Sequence, residues 1–414
     1  MTTLVEKIKK TVSPEQFFMA SALLVNGGNY LYNLFLGRYL GPQAFADAAI
    51  VITLLLVLSF IAMTFQLVVA KYTVLLEGDS YDSFFNICFS YTLLIGMLIG
   101  FLMVFFSLEL QEFFNTQTRH IFIVFGIGVP FYFIMSLNRG RLQGRSSFIE
   151  LSFTYQIEMI VRFLGTFLLL NLFNLNASFA VTIALFFSFI SGIFPFSKKG
   201  FKLELKTVLS KTDQLQIIKF FMLTAGYEFT QILCNNSDIL LIKHYFNDTE
   251  SGLYASLALI GRVVYFITWM LVMLLLPKVV AKKKQGLETH SILLKYISYT
   301  LIVSLSLTIF TFLFPEFTVK VLFGKEYMQI APLLGWYALA TSCFAIANLF
   351  AYYFISLTIF VPVILTAICG LLQIALIIFF HDSLFEVVLM QIIAMVLLLL
   401  LQLGYYKIFH KTSQ

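Results

Sequence analysis

Charge is what this chain has least of. Only 12% of its residues are Asp, Glu, Lys or Arg, 60% are hydrophobic, and the mean hydropathy is +0.92. A soluble domain carries roughly 25% charged residues, so this composition excludes a water-soluble fold. Cysteine is scarce as well. Cys88, Cys234, Cys343 and Cys369 lie far apart inside apolar stretches, which excludes a disulfide framework and any CxxC metal site. No catalytic signature is found: no GxxxxGKS/T, no HExxH, no GxSxG, and no glycine-rich dinucleotide fingerprint. The five histidines are isolated from one another near the ends of apolar stretches. No basic segment with interleaved aromatics stands in a polar stretch, so nucleic acid is not an expected partner and no cofactor is implied.

What is present is a series of twelve apolar stretches, near 16–36, 44–70, 84–108, 120–138, 151–172, 177–196, 218–242, 252–276, 292–314, 328–354, 357–380 and 384–406. About 20 apolar residues cross a hydrocarbon core as a helix. The expectation is an all-α polytopic membrane protein with about twelve transmembrane helices.

The 27 Lys and Arg residues divide unevenly among the gaps. Twenty fall on alternate gaps: Lys7, Lys9, Lys10, Lys71, Arg139, Arg141, Arg145, Lys198, Lys199, Lys202, Lys206, Lys211, Lys219, Lys278, Lys282, Lys283, Lys284, Lys295, Lys407 and Lys411. Five fall on the others: Arg38, Arg119, Lys243, Lys320 and Lys325. Positive loops resist translocation, so the first set is predicted to be cytoplasmic together with both termini. The net charge of +6 then reflects topology and attraction to anionic lipid. The basic N-terminus runs into a full-length span, so a cleavable signal is not expected. Loops on the outer side are short, the longest near 315–327, and no extramembrane domain is expected.

A basic cytoplasmic linker, 201–216, divides the chain into a six-helix lobe over 1–200 and another over 217–414. Six spans each make the lobes parallel repeats. A shift of 206 residues overlays 29–61 on 235–267 with seven identities, among them Asn29/Asn235, Leu34/Leu240 and Tyr39/Tyr245. Gly27 and Gly28 in the first span, and Pro130 in the fourth, read either as hinges or as sites of close helix packing. Gly96 and Gly100 form a GxxxG expected to pack helices.

Ionisable groups inside spans need a partner or a wet cavity. Glu158 and Arg162 share a face of the fifth span. Glu228 and Arg262 both fall near the membrane midplane and are expected to pair across neighbouring helices. Each pair reads either as a neutralised structural pair or as part of a binding site. Two midplane arginines suit an anionic ligand, because guanidinium binds phosphate bidentately and stays charged. Arg139, Arg141 and Arg145 end the fourth span on the cytoplasmic side. They read as topological anchors or as a capture site for a phosphorylated headgroup. Asn235 and Asp238, with Asn29, offer polar contacts to sugar hydroxyls or act as interhelical glue.

Residues Asn33–Phe45 (NLFLGRYLGPQAF) resemble the junction of the first two spans in polysaccharide flippases. Asp238–Phe246 (DILLIKHYF) and Glu250–Ala255 (ESGLYA) resemble the corresponding junction in the second half. On these motifs the chain resembles the polysaccharide-transport branch of the multidrug/oligosaccharidyl-lipid/polysaccharide (MOP) flippase superfamily. The resemblance implies two six-helix lobes around a central cavity, alternating access, and an oligosaccharide linked to polyprenyl diphosphate as substrate. Ala46-Asp47-Ala48 departs from the Gly-Leu-Tyr kept at Gly252-Leu253-Tyr254; Asp47 then caps or charge-complements a helix N-terminus.

The expected function is a flippase for lipid-linked oligosaccharide in a bacterial cytoplasmic membrane, serving O-antigen, capsule or exopolysaccharide synthesis. Its partners would be membrane lipids and a polysaccharide polymerase machinery, and either proton or sodium would serve as a coupling ion. Two other functions compete. A cation-coupled multidrug exporter of the same superfamily would use Glu228 and Asp238. A membrane glycan polymerase or ligase would need a larger outer loop than this chain has.

Overall fold

In the computed structural model the described residues are 14–173, 175–195, 202–204, 209–265, 275, 279, 282, 283, 287–357 and 359–413. The end of the eighth predicted span, 266–276, is therefore almost wholly outside the described residues, as are Lys7, Lys9, Lys10, Lys198, Lys199, Lys206, Lys278 and Lys284. The described residues form helices and one 3-10 turn, with no strand among them. The helices are α1 (Pro14–Leu75), α2 (Gly78–Phe105), α3 (Ser107–Phe113), α4 (His120–Gly144), α5 (Phe148–Leu172), α6 (Ala177–Gly192), α7 (Lys211–Tyr245), α8 (Asp248–Gly261), α9 (His290–Leu313), α10 (Pro315–Leu322), α11 (Ala331–Ser356), α12 (Val361–Phe379) and α13 (Leu384–Ser413). The 3-10 turn Lys325–Ile330 precedes α11.

Nine described helices are long and apolar enough to cross a membrane. They account for most of the twelve predicted spans. At 1.5 Å per residue, the 62 residues of α1 far exceed a bilayer core of about 30 Å, and this helix holds two predicted spans. The break is at Gly41, whose φ of 73° and ψ of 170° only glycine adopts without strain. Pro42 follows, with no N–H to lose at the start of the next helix. The other two predicted spans correspond to the 16-residue α6 and to α8, whose continuation lies outside the described residues. The chain is a multi-pass membrane protein.

The helices form two compact units, one of residues 1–36 and 47–228, the other of residues 37–46 and 229–414. The division falls inside α7, not in the 201–216 linker. In the first unit, α2 packs on α4, α4 on α6, and α5 on α6. The GxxxG of α2 serves the first of these contacts. A Cβ on Gly100 would collide with the Gly126 carbonyl, and one on Gly96 would press on Pro130. Pro130 lies inside α4 at this contact. The inner part of α7 belongs here because Ile217, Phe220 and Phe221 pack on Val68, Val69, Tyr72, Phe84 and Phe85. The described part of the linker is also docked on α2. Lys202 N donates to Asn86 Oδ1, Asn86 Nδ2 donates to Glu204 Oε2, and Glu204 N donates to Ser90 Oγ.

In the second unit, α11 is the central helix, packed by α8, α9 and α13. Residues 37–46 are built into this unit. Tyr327 donates to the Gly37 carbonyl, and Phe323 packs against the Phe45 ring. The outer loop expected near 315–327 is an ordered element, α10 followed by the 3-10 turn.

At Gly27–Gly28 the helix runs on unbroken, and the interruption in α1 lies at Gly41. Gly28 is a packing position against Met159.

Candidate functional site

In the first unit, α5 carries a buried polar stripe. Thr154, Glu158, Arg162 and Thr166 recur every fourth residue and are all buried. That spacing places them on one helix face. The stripe meets Arg139 of α4 on one side and Asn29 and Tyr32 of α1 on the other. Arg139 Nη2 lies 2.7 Å from Glu158 Oε2, and its Nε donates to Thr154 Oγ1 at 3.0 Å. Its guanidinium also stacks 3.8 Å from the Tyr155 ring centre. Arg162 Nη1 is 3.7 Å from the other carboxylate oxygen, and Nη2 donates to Asn29 Oδ1. Tyr32 faces the Arg162 guanidinium and bonds Thr166 at 2.9 Å. Gly192, at the end of α6, leaves room for Glu158 and Arg139 beside that helix.

Two guanidiniums therefore share one carboxylate, so among the described residues two positive charges meet one negative charge there. Arg162 is only 8% exposed, and its Nε has no hydrogen-bond partner among the described residues. A buried cation of this kind is costly, and an anionic group would repay the cost.

The second unit balances its charge. Asp238 on α7 is fully buried. It accepts from Arg262 Nη2 at 2.8 Å, Tyr337 at 2.8 Å and Tyr254 at 3.1 Å. Arg262 Nε in turn donates to Tyr337 at 3.2 Å. One cation meets one anion, and the two tyrosines, Gln391 and the Ile239 backbone N–H donate to the same carboxylate. This corrects the expected Glu228–Arg262 pair. Asp238 lies ten residues beyond Glu228, about 15 Å along α7, and it is Asp238 that faces α8. Glu228 is half-buried and makes no ion pair among the described residues.

Against this geometry the comparisons with known proteins are decisive for the family. A model of the family described as "Polysaccharide biosynthesis protein" matches residues 35–332. The chain belongs to this family. A search of curated proteins finds no match. Among solved structures, the chain is similar to one of the lipid II flippase MurJ, with a TM-score of 0.76 at 17% identity, over 94% of this chain and 87% of that one. It is equally similar to a multidrug resistance MATE transporter in an inward-facing conformation, with a TM-score of 0.77 at 12% identity, over 94% of this chain and 96% of that one. A MOP transporter from Pyrococcus furiosus follows at 0.59 and 12% identity, over 95% and 93% of the two chains. At these identities the likeness establishes the fold. Those solved structures are of a flippase and of transporters.

The remaining predicted site residues of this polysaccharide-biosynthesis family member separate. The expected basic trio at the end of α4 is not one surface cluster. Arg139 belongs to the Glu158 network. Arg141 is buried, donating to Asn138 Oδ1 at 2.8 Å. Arg145 alone is exposed, beside Tyr81. Capture of a headgroup by all three is therefore at odds with the burial of two of them. Asn235 donates to Gln231 within its own helix, and Asp47 accepts from the Gln117 backbone. The residues that sequence reasoning missed are Thr154, Thr166, Tyr32, Tyr254 and Tyr337. The four-residue period of α5 signals the first two; nothing local signals Tyr337.

Proposed function

We propose that the protein is a flippase that moves a polyprenyl-diphosphate-linked oligosaccharide across the bacterial cytoplasmic membrane for surface polysaccharide synthesis. The observation that carries this reading is the guanidinium of Arg162, which shares Glu158 with Arg139 and lies beside Asn29. A diphosphate is the anion that a forked donor meets best, and Asn29 offers an amide to a neighbouring sugar hydroxyl. Alternating access would carry the headgroup while the lipid chain stays in the bilayer. Unaided, each hydroxyl taken into hydrocarbon would cost about 4–8 kcal/mol, so a passage with fixed polar partners removes most of the barrier. Family membership supports the glycan side of this reading.

A cation-coupled drug exporter would need free carboxylates. Asp238 is occupied by Arg262 and two tyrosines, which leaves Glu228 alone in that role. The test is glycan export by cells carrying Arg162→Gln, scored together with the amount of protein in the membrane. Loss of export at normal abundance is expected. Full export by this variant would sink the assignment, and drug resistance conferred by the wild type would favour the exporter.

A further inference from the structure

Of the five basic residues predicted to be outside, three converge on one place in the second unit. Arg38, Lys320 and Lys325, with Phe317, Val321 and Gly324, line a surface cavity of about 590 Å³. A volume of this size falls in the range of ligand sites. Cations are rare on the outer side, and three of them around one cavity call for a reason beyond topology. Part of the reason is local: Arg38 Nη1 donates to the Val321 carbonyl at 3.1 Å and so caps the end of α10. That bond uses one of five guanidinium N–H groups. Lys320 and Lys325 are exposed and make no ion pair among the described residues. Glu316 and Glu326 are near in sequence, but neither lines the cavity. By contrast, the fourth outer cation, Lys243, is buried and paired with Asp248.

The cavity also has an apolar shoulder. Phe317 and Val321 are 61% and 51% exposed on α10. Nearby in the chain, exposed Trp336 on α11 packs edge-on against Phe312 of α9. Trp and amphipathic short helices are features of the membrane–water interface. Cations beside exposed apolar side chains at that level match a lipid with a phosphate headgroup.

We propose that this cavity binds the phosphate of a membrane lipid at the outer headgroup level, with the diphosphate of a polyprenyl carrier as its preferred ligand. The choice of carrier rests on the flippase reading; the phosphate chemistry rests on the three cations. Lys320 and Lys325 contact the phosphate oxygens, Arg38 sets the rim, and Phe317 and Val321 take the first part of the hydrocarbon chain.

The test uses the full chain in nanodiscs of phosphatidylcholine, with binding of geranylgeranyl diphosphate read by native mass spectrometry. Lys320→Gln/Lys325→Gln is expected to weaken binding about tenfold or more, because two charge-assisted contacts are lost. Lys282→Gln/Lys283→Gln, which removes two cations on the predicted opposite side, is expected to leave it unchanged. Unchanged binding in the first variant overturns the site, as does an equal loss in the second. Nanodiscs containing phosphatidylglycerol separate the two sources. If that lipid is lost from the first variant as strongly as the diphosphate, the phosphate site stands and the carrier preference falls. If the wild type binds the diphosphate through Lys320 and Lys325 but exports no glycan, the flippase reading fails while the cavity assignment holds.

Discussion

Arg162 and Arg262 are both buried guanidiniums, yet their removal is expected to have opposite consequences. Glu158 keeps Arg139 when Arg162 is lost, so Arg162→Gln leaves a neutral pair behind. That variant is expected to melt near the wild-type temperature in detergent while export falls. Asp238 has no second cation among the described residues. Arg262→Met strands a buried carboxylate with only neutral donors (Tyr254, Tyr337, Gln391 and the Ile239 backbone N–H), and breaking such a buried pair costs about 3–5 kcal/mol. A clear drop in melting temperature and in membrane abundance is expected, with most of it restored by adding Asp238→Asn. An Arg262→Met protein as stable as the wild type would refute a structural role for the pair. The sequence made Glu158, Arg162 and Asn29 legible as candidates, because an ionisable group in an apolar run stands out and a four-residue spacing shares a face. It left the partner of Arg262 open. Glu228 and Asp238 are both acids on α7, and only the packing of α8 against one stretch of that helix chooses between them.

Elements show the same contrast between a local signal and its use. Glycine in a predicted span signals either bending or contact, and the neighbours decide. Gly27 is helical, and a Cβ there meets nothing within 4 Å. Gly27→Ala is expected to raise stability by up to about 1 kcal/mol and to leave export unchanged. Markedly slowed export would reinstate the hinge. Gly100 sits against the Gly126 carbonyl, so Gly100→Val must push α2 and α4 apart. Lower abundance and a lower melting temperature are expected for it. The α10 segment was legible only as a loop, since eight residues are too few for a span. Its order comes from Tyr327 and Phe323 anchoring residues 37–46, a contact between segments nearly 300 positions apart in the chain.

For the whole molecule, the charge asymmetry predicts which face is which. The four native cysteines all lie in predicted spans, and Cys88, Cys234 and Cys369 are buried. Background labelling by a membrane-impermeant maleimide should therefore be low. Leu203→Cys is expected to label only after cell lysis, and Lys320→Cys in intact spheroplasts; the reverse pattern would invert the topology. The sequence alone determined that the chain spans the membrane and roughly where the spans lie, and it predicts which face is cytoplasmic. Hydropathy and resistance to translocation act on each segment by itself, so they can be read without knowing its neighbours. Only the tertiary structure decided which charges cancel. Neutralisation takes place between side chains on different helices, over a few ångströms set by packing. That is why Asp238 silences Arg262, while among the described residues Arg139 and Arg162 share one glutamate.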